Sequence, residues 1–350
     1  MRKICFLLCL LLSLPVLAAT RMQYKIVTAS ERGTYIQIGR DLAKWVADPA
    51  EIELEVLPSK GSAENVQRLR YEPGVKFALV QSDVYQAMLN QGTLGNRSAR
   101  QIIRPLRVIL PLYDEEIYFV TRADSPLTSI HQMKDKKINV GPVGSGTALS
   151  ATTLYRMMFD QALPDANASY LSNEEALLKL TGDKSIDVVV IVAGQPAKLF
   201  VDMKPEARQL IKLLRLDDKA PETMRATKTY FPAIIRHASY PSWLGEDVPT
   251  LTVKAFLVTY DYNLQMTQAS LNRFAQAFCL NFDNLQSYGH PKWKQVALEL
   301  PPLGKGWTYY PPMERVMRAC AASRAKAASS PTATAKKCSQ QEKVLGLCGI

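Results

Sequence analysis

Two turns rich in Gly, Ser and Thr, about a hundred residues apart, constrain this chain more than any other feature. The first, Thr28-Ala29-Ser30-Glu31-Arg32-Gly33-Thr34-Tyr35, follows the apolar run Tyr24–Val27. The second, Gly141-Pro142-Val143-Gly144-Ser145-Gly146-Thr147, follows Ile138–Val140. Each leads into a helix-like stretch. A strand, such a turn and a helix start expose backbone N–H groups at one point, where the helix dipole favours negative charge. Two such points in one chain fit a small anion held between two lobes.

The segments around these turns alternate in strand and helix periodicity. Ile52, Leu54 and Val56 alternate with Glu53 and Glu55, as in a half-exposed strand, while Tyr35, Ile38, Leu42 and Trp45 form one helical stripe. Ala63–Leu69 reads as a short helix, Phe77–Val80 as a buried strand before a helix from Asp83, and Arg107–Leu112 and Ile117–Thr121 as two further strands. The pattern then repeats. Lys137–Val140 reads as a strand, Ala148–Phe159 and Glu174–Leu180 as helices, and Val188–Val192 as a β-branched central parallel strand. A late strand at Thr252–Thr259 and a helix at Gln268–Phe282 follow. The β-α-β order predicts an α/β protein with mostly parallel sheets in two similar units, the last segment rejoining the first. Ligands of such sheets sit beyond the carboxyl ends of the strands, which gathers the loops Ser30–Tyr35, Pro58–Asn65, Gln81–Asp83, Tyr113–Glu116, Gly141–Thr147 and Ala193–Pro196.

The N-terminus reads as an export signal. Arg2 and Lys3 precede the apolar Ile4–Leu17, and Ala18 and Ala19 offer a cleavage site. Of six cysteines, Cys5 and Cys9 lie in that segment, leaving Cys279, Cys320, Cys338 and Cys348. An oxidising compartment favours disulfides, and no CxxC spacing supports zinc. Closeness in sequence suggests Cys338–Cys348, which leaves Cys279–Cys320. Much of the net charge of +11 crowds the C-terminal end, where Arg315, Arg318, Arg324, Lys326, Lys336, Lys337 and Lys343 read as a solubilising tail, with attraction to an anionic membrane surface as the alternative. No basic groove interleaved with aromatics argues for nucleic acid.

The clustered loops resemble the TAXI family of TRAP-transporter solute-binding proteins. The resemblance rests on Gly33-Thr34-Tyr35 with Gly39, Gly61-Ser62-Ala63-Glu64-Asn65-Val66 and Ala78-Leu79-Val80-Gln81-Ser82-Asp83. It continues through Leu112-Tyr113-Asp114-Glu115-Glu116, Val140–Thr147 and Val192-Ala193-Gly194-Gln195-Pro196, in order from about Tyr24 to about Arg318. It implies a type II periplasmic-binding-protein fold, two α/β lobes joined by a two-strand hinge. It also implies a periplasmic protein that hands a small carboxylate, glutamate or 2-oxoglutarate in kind, to a TRAP-type membrane permease. The expected organisation is a signal peptide over 1–19, the first part of lobe I over 20–121 and lobe II over 122–250. Lobe I is completed over 251–318, and a basic extension outside the resemblance occupies 319–350. The chain is expected to cross between lobes near Ile117–Thr121 and to return near Leu251–Phe256. Sensing through a membrane receptor is the alternative use of the same fold.

The expected ligand contacts are Ser30, Arg32, Thr34, Tyr35, Ser62, Asn65, Gln81, Ser82, Glu115, Ser145, Gly146, Thr147 and Gln195. Ser145, Gly146 and Thr147 begin a helix, so anion binding and ordinary capping are both open to them; the same holds for Ser62, with Asn65 fixing the loop. Arg32 departs from the family's glycine-rich first loop and could clamp a carboxylate through its planar fork, or be neutralised by Glu31. Glu115 and Glu116 point to opposite faces of a strand, one toward the cleft or hinge and the other toward water. Gln195 is expected to complete the pocket from the opposite lobe. The scattered His131, His237 and His290 show no metal spacing, and no GxSxG elbow is present. The expectation is therefore a monomeric binding protein, not an enzyme, with no cofactor and no metal.

Overall fold

A computed structural model describes residues 21–93 and 97–329. The expected signal peptide, Cys338, Cys348 and the end of the basic extension lie outside them. In order, the first elements are β1 (Met22–Val27), α1 (Thr34–Leu42), β2 (Ile52–Leu57), α2 (Ser62–Tyr71), β3 (Val75–Gln81), α3 (Val84–Thr93), α4 (Arg97–Ile103) and β4 (Leu106–Arg122). Then come β5 (Ile138–Asn139), α5 (Gly146–Phe159), β6 (Ala168–Ser169), α6 (Asn173–Thr181), β7 (Val188–Ala193), α7 (Lys198–Val201), α8 (Pro205–Arg208), β8 (Ile211–Leu213), α9 (Pro221–Ala226) and β9 (Phe231–Ile235). The chain closes with β10 (Val248–Tyr260), α10 (Gln265–Leu280), α11 (Phe282–Tyr288) and α12 (Pro311–Ser329).

The strands pair in the order β2-β1-β3-β10-β4-β7-β5-β6, with β8 on β4 and β9 on β10. At one end β2, β1 and β3 run parallel, and at the other β7, β5 and β6 do. Between them β4 and β10 run antiparallel, from Leu251 opposite Ile117 to Tyr260 opposite Leu106. Residues Ala255–Val258 of β10 pair with β3, and its Val248–Thr252 pair with β9. Each of the two long strands thus belongs to both ends of the sheet, and together they make the hinge. The register of β10 against β4 slips between Lys254 and Phe256, in the middle of the crossing.

The cores explain the division. Ile26, Phe77, Leu110, Tyr113, Leu257, Phe274 and Trp293 belong to one apolar cluster. Ile117, Phe119, Val188, Val190, Leu154 and Tyr155 belong to a second, and Tyr118, Val120, Val189, Ile191 and Phe200 to a third. Odd and even positions of β4 and β7 feed different clusters because side chains alternate across a strand. The second lobe is therefore covered on both faces, which is why Val188–Ile191 reads as an unbroken apolar run. Within β4 the change of cluster falls between Tyr113 and Ile117, slightly ahead of the expected crossing.

Several elements differ from expectation. Arg107–Leu112 and Ile117–Thr121 are one strand of 17 residues, because two of the three intervening acids, Glu115 and Glu116, are buried rather than looped out. Val188–Val192 has a parallel neighbour in β5 but an antiparallel one in β4, so it is not a fully parallel central strand. The helix expected over Gln268–Phe282 ends at Leu280 and a second begins at Phe282. The disulfide Cys279–Cys320 joins α10 to α12, as expected. Among the described residues no helix is long and apolar enough to cross a membrane.

Candidate functional site

Four helix starts converge on one cavity of about 230 Å³ between the lobes. The chain leaving β1 turns at Ser30–Gly33 into α1, and the chain leaving β2 turns at Pro58–Gly61 into α2. From the other lobe, Val140–Ser145 leads into α5 and Tyr170–Ser172 into α6. The first-turn N–H groups of each helix have no partner inside it. Ser145 and Ser172 satisfy one each, accepting from Ala148 N at 3.0 Å and Glu175 N at 3.2 Å. Gly33 and Gly61, which precede α1 and α2, supply no side-chain cap. Gly61 adopts φ of +120°, a conformation open to glycine, and a Cβ there would stand 3.2 Å from the Gly146 nitrogen of the facing lobe.

The remaining lining is polar on the first lobe and partly apolar on the second. Ser59, Lys60, Ser62 and Gln81 face Ile191, Val192, Ala193 and Leu199. Ser62 Oγ accepts from Gln81 N at 3.0 Å, which ties the start of α2 to the end of β3. Glu115 is buried and accepts a hydrogen bond from the Tyr35 hydroxyl at 2.6 Å. Burial pushes its carboxyl up to about 8, the Tyr35 hydrogen bond and the Lys292 ammonium opposing and the Glu116 and Asp83 carboxylates adding to the rise. Burial likewise holds the Tyr35 hydroxyl well above its ordinary range, with Glu115 next in effect.

The two lobes touch around the cavity. Thr34 Oγ1 donates to Gly194 O at 3.1 Å, and Glu64 N donates to Gly144 O at 3.0 Å. Asp83 accepts from Ser150 Oγ at 2.6 Å and from the Tyr230 hydroxyl at 2.9 Å, and burial raises its carboxyl. Arg32 spans the mouth, its guanidinium 3.9 Å from Glu174 and 3.8 Å from Asp202. The neutralising partners of Arg32 are these two acids. Glu31 instead pairs with Arg40 at 2.9 Å.

Ten of the thirteen expected residues border the cavity: Ser30, Arg32, Thr34, Tyr35, Ser62, Gln81, Glu115, Ser145, Gly146 and Thr147. Three do not. Asn65 donates to Thr28 O and Leu79 O at 2.6 Å each, so its amide holds the loop, not the cavity. Ser82 is engaged through its backbone, to Lys254 O and from Trp307 Nε1. Gln195 turns behind the cavity wall. Its amide donates to Glu116 and Ile234 O, each at 2.8 Å, and accepts from Arg236 N at 2.8 Å. Glu116 does not meet water as expected. It is buried against Lys292 Nζ at 2.7 Å, a partner 176 residues away. Lys60 belongs to the gathered loop Pro58–Asn65 but is not among the expected contacts, and the start of α6, Ser172–Glu174, went unanticipated. The latter carries a readable signal, Ser172-Asn173-Glu174-Glu175, the Ser-x-x-Glu pattern of a capped helix.

The chain is similar to several solved structures. BugD, a periplasmic binding protein, is 12% identical over 87% of this chain and 96% of its own, with a TM-score of 0.49. The putative periplasmic sulfonate-binding protein SsuA from Methylobacillus flagellatus KT is 12% identical over 89% of this chain and 88% of its own, with a TM-score of 0.45. XAC2383 from Xanthomonas citri, in a structure bound to ATP, is 13% identical over 87% and 97%, with a TM-score of 0.43. Two α/β lobes joined by the paired strands β4 and β10 constitute the type II periplasmic-binding-protein fold. Residues 26–300 match the model of the NMT1-like family, and the chain belongs to that family.

Proposed function

We propose that this protein is an extracytoplasmic solute-binding protein of the TAXI type. It captures a small carboxylate between its lobes and delivers it to a TRAP-type permease, acting in the periplasm as a monomer. The observation that supports this reading most is the convergence of four helix starts, two from each lobe, on one cavity. Each start adds N–H donors and the positive end of a dipole, so the point they share favours a negative group. The space of about 230 Å³ suits a small acid such as a dicarboxylate.

Delivery follows from the same geometry. A ligand that touches α1 and α2 on one lobe and α5 and α6 on the other makes all its contacts only when the lobes close, so it favours the closed form. A permease can then distinguish loaded from empty protein by shape. Native mass spectrometry of protein purified without refolding, followed by calorimetry with the acid identified, tests the proposal. A bound small carboxylate released on denaturation is the expected result. Protein that carries no acid and binds none of glutamate, 2-oxoglutarate or succinate overturns it.

A further inference from the structure

An anion cavity should not contain an unpaired carboxylate, yet Glu115 borders this one. It is buried, and the Tyr35 hydroxyl engages one of its oxygens, Oε2. A single neutral hydrogen bond does not replace a counter-ion. The ammonium that acts on it, Lys292, comes from the other side of β4 and is committed to Glu116 at 2.7 Å, to Asp114 O at 2.6 Å and to Gln295. Resting on the reading of the cavity as an anion site, we propose that Glu115 is protonated whenever the anion is bound, so that in alkaline solution binding brings one proton into the site.

The chemistry closes on this point. As a carboxylic acid, Glu115 offers one O–H donor, which a ligand oxygen can accept. As a carboxylate it offers acceptors alone and repels the ligand at short range in a poorly hydrated space. The groups that act on it are Tyr35 from α1, which bonds it directly, Asp83 just after β3, Tyr113 and Glu116 from β4, and Lys292 from the segment after α11. Arg32, Lys60 and Glu174 lie farther out on the cavity walls. Carboxyls among these outnumber the cations that are free of other partners, so the neighbourhood favours the neutral acid. The rise of the Glu115 carboxyl to about 8 agrees.

Calorimetry of acetate, succinate, 2-oxoglutarate and glutamate at pH 7 and pH 9 tests the proposal. Buffers of different ionisation enthalpy give the proton count. For the acids that bind, affinity should be about tenfold weaker at pH 9 than at pH 7, with about one proton taken up per ligand at pH 9. In Glu115→Gln, which is permanently neutral and nearly the same shape, the two affinities should agree within about twofold. Binding that gains affinity with pH, or that releases a proton, overturns the proposal and points to an ammonium paired with Glu115. Binding with no proton change at pH 9 overturns it as well. Should Glu115→Gln fail to fold, the proton count of the unaltered protein decides. If none of the four acids binds at either pH, this proposal and the anion reading beneath it both fall.

Discussion

Gly146 is the point at which one added carbon separates folding from closure. It opens α5 in the second lobe, against Gln81 and Ser62 of the first. A Cβ there would lie 1.7 Å from Gln81 Oε1, 2.6 Å from Gln81 Cδ and 2.5 Å from Ser62 Oγ. Ordinary contacts need about 3.5 Å, so the lobes must part by roughly 2 Å at this point or the whole Gln81 amide must move. Gln81 is buried and has little room to do so. Overpacking of this kind costs about 1–3 kcal/mol, charged to the closed state alone. In an open protein the methyl meets nothing, and Ala improves a helix by up to about 1 kcal/mol over Gly. Gly146→Ala should therefore melt no lower than the unaltered protein while binding its carboxylate about 5- to 150-fold more weakly. Calorimetry gives the affinity. Small-angle scattering, or distance labels on α2 and α5, gives the separation with ligand present. A variant that binds as tightly as the parent and reaches the same compact form refutes the argument that this contact is an interface between moving lobes.

Four further expectations follow from the same structure. Lys292→Met strands Glu116 without its counter-charge and should lower unfolding free energy by about 3–5 kcal/mol in urea titration, with Glu116→Gln in the same chain recovering part of it. Loss of the Cys279–Cys320 bond, which closes a separation of 41 residues, should cost about 4 kcal/mol, read by melting with and without reductant. Glu115 titrates higher folded than unfolded, so the stability it contributes is full below about pH 4.5 and lost as pH rises through about 8. The melting temperature of the unliganded protein should fall over that window, and Glu115→Gln should flatten the fall. Arg32 is half-exposed and near 4 Å from both acids, so Arg32→Ala should weaken ligand binding by about 1 kcal/mol or less, an effect that disappears in about 0.5 M salt.

The parts of the fold that were legible in the sequence are those that local periodicity determines. Ile52–Leu57 alternates because one face of β2 is buried, and Tyr35, Ile38 and Leu42 recur because α1 presents one stripe to the first core. The helix starts were legible for the same reason, since Gly, Ser and Thr before an amphipathic run mark an N-terminus whatever the rest of the chain does. β4 was not legible as one strand. Asp114-Glu115-Glu116 at its centre reads as a solvated break, and only Tyr35, Gln195 and Lys292 make burial of two of those acids possible. Those partners lie 80, 79 and 176 residues away. Gln195 failed for a related reason. An amide at a strand end can point at a ligand or at a buried carboxylate, and its choice depends on Glu116, which the sequence suggested was exposed. Arg32 was legible as a cation at the mouth, but its acidic partners were not, because Glu174 and Asp202 come from the other lobe.

The strand that carries the hinge also sorts the charges of the site. Because side chains alternate along β4, Glu115 and Glu116 emerge on opposite faces, the first at the cavity and the second toward Lys292. An ammonium on the cavity face beside Glu115 would hold it ionised and leave a fixed carboxylate among the helix starts. A bound anion would then meet a like charge. With the observed register the ionised pair is confined to the hinge, where Gln195 links it to β9 of the second lobe through Ile234 O and Arg236 N. The cavity acid is left to burial, which favours its neutral form. Closure and protonation therefore meet at two adjacent residues of one strand. A change that moves β4 by less than a residue, at the register slip between Lys254 and Phe256 on its partner β10, is positioned to affect both at once.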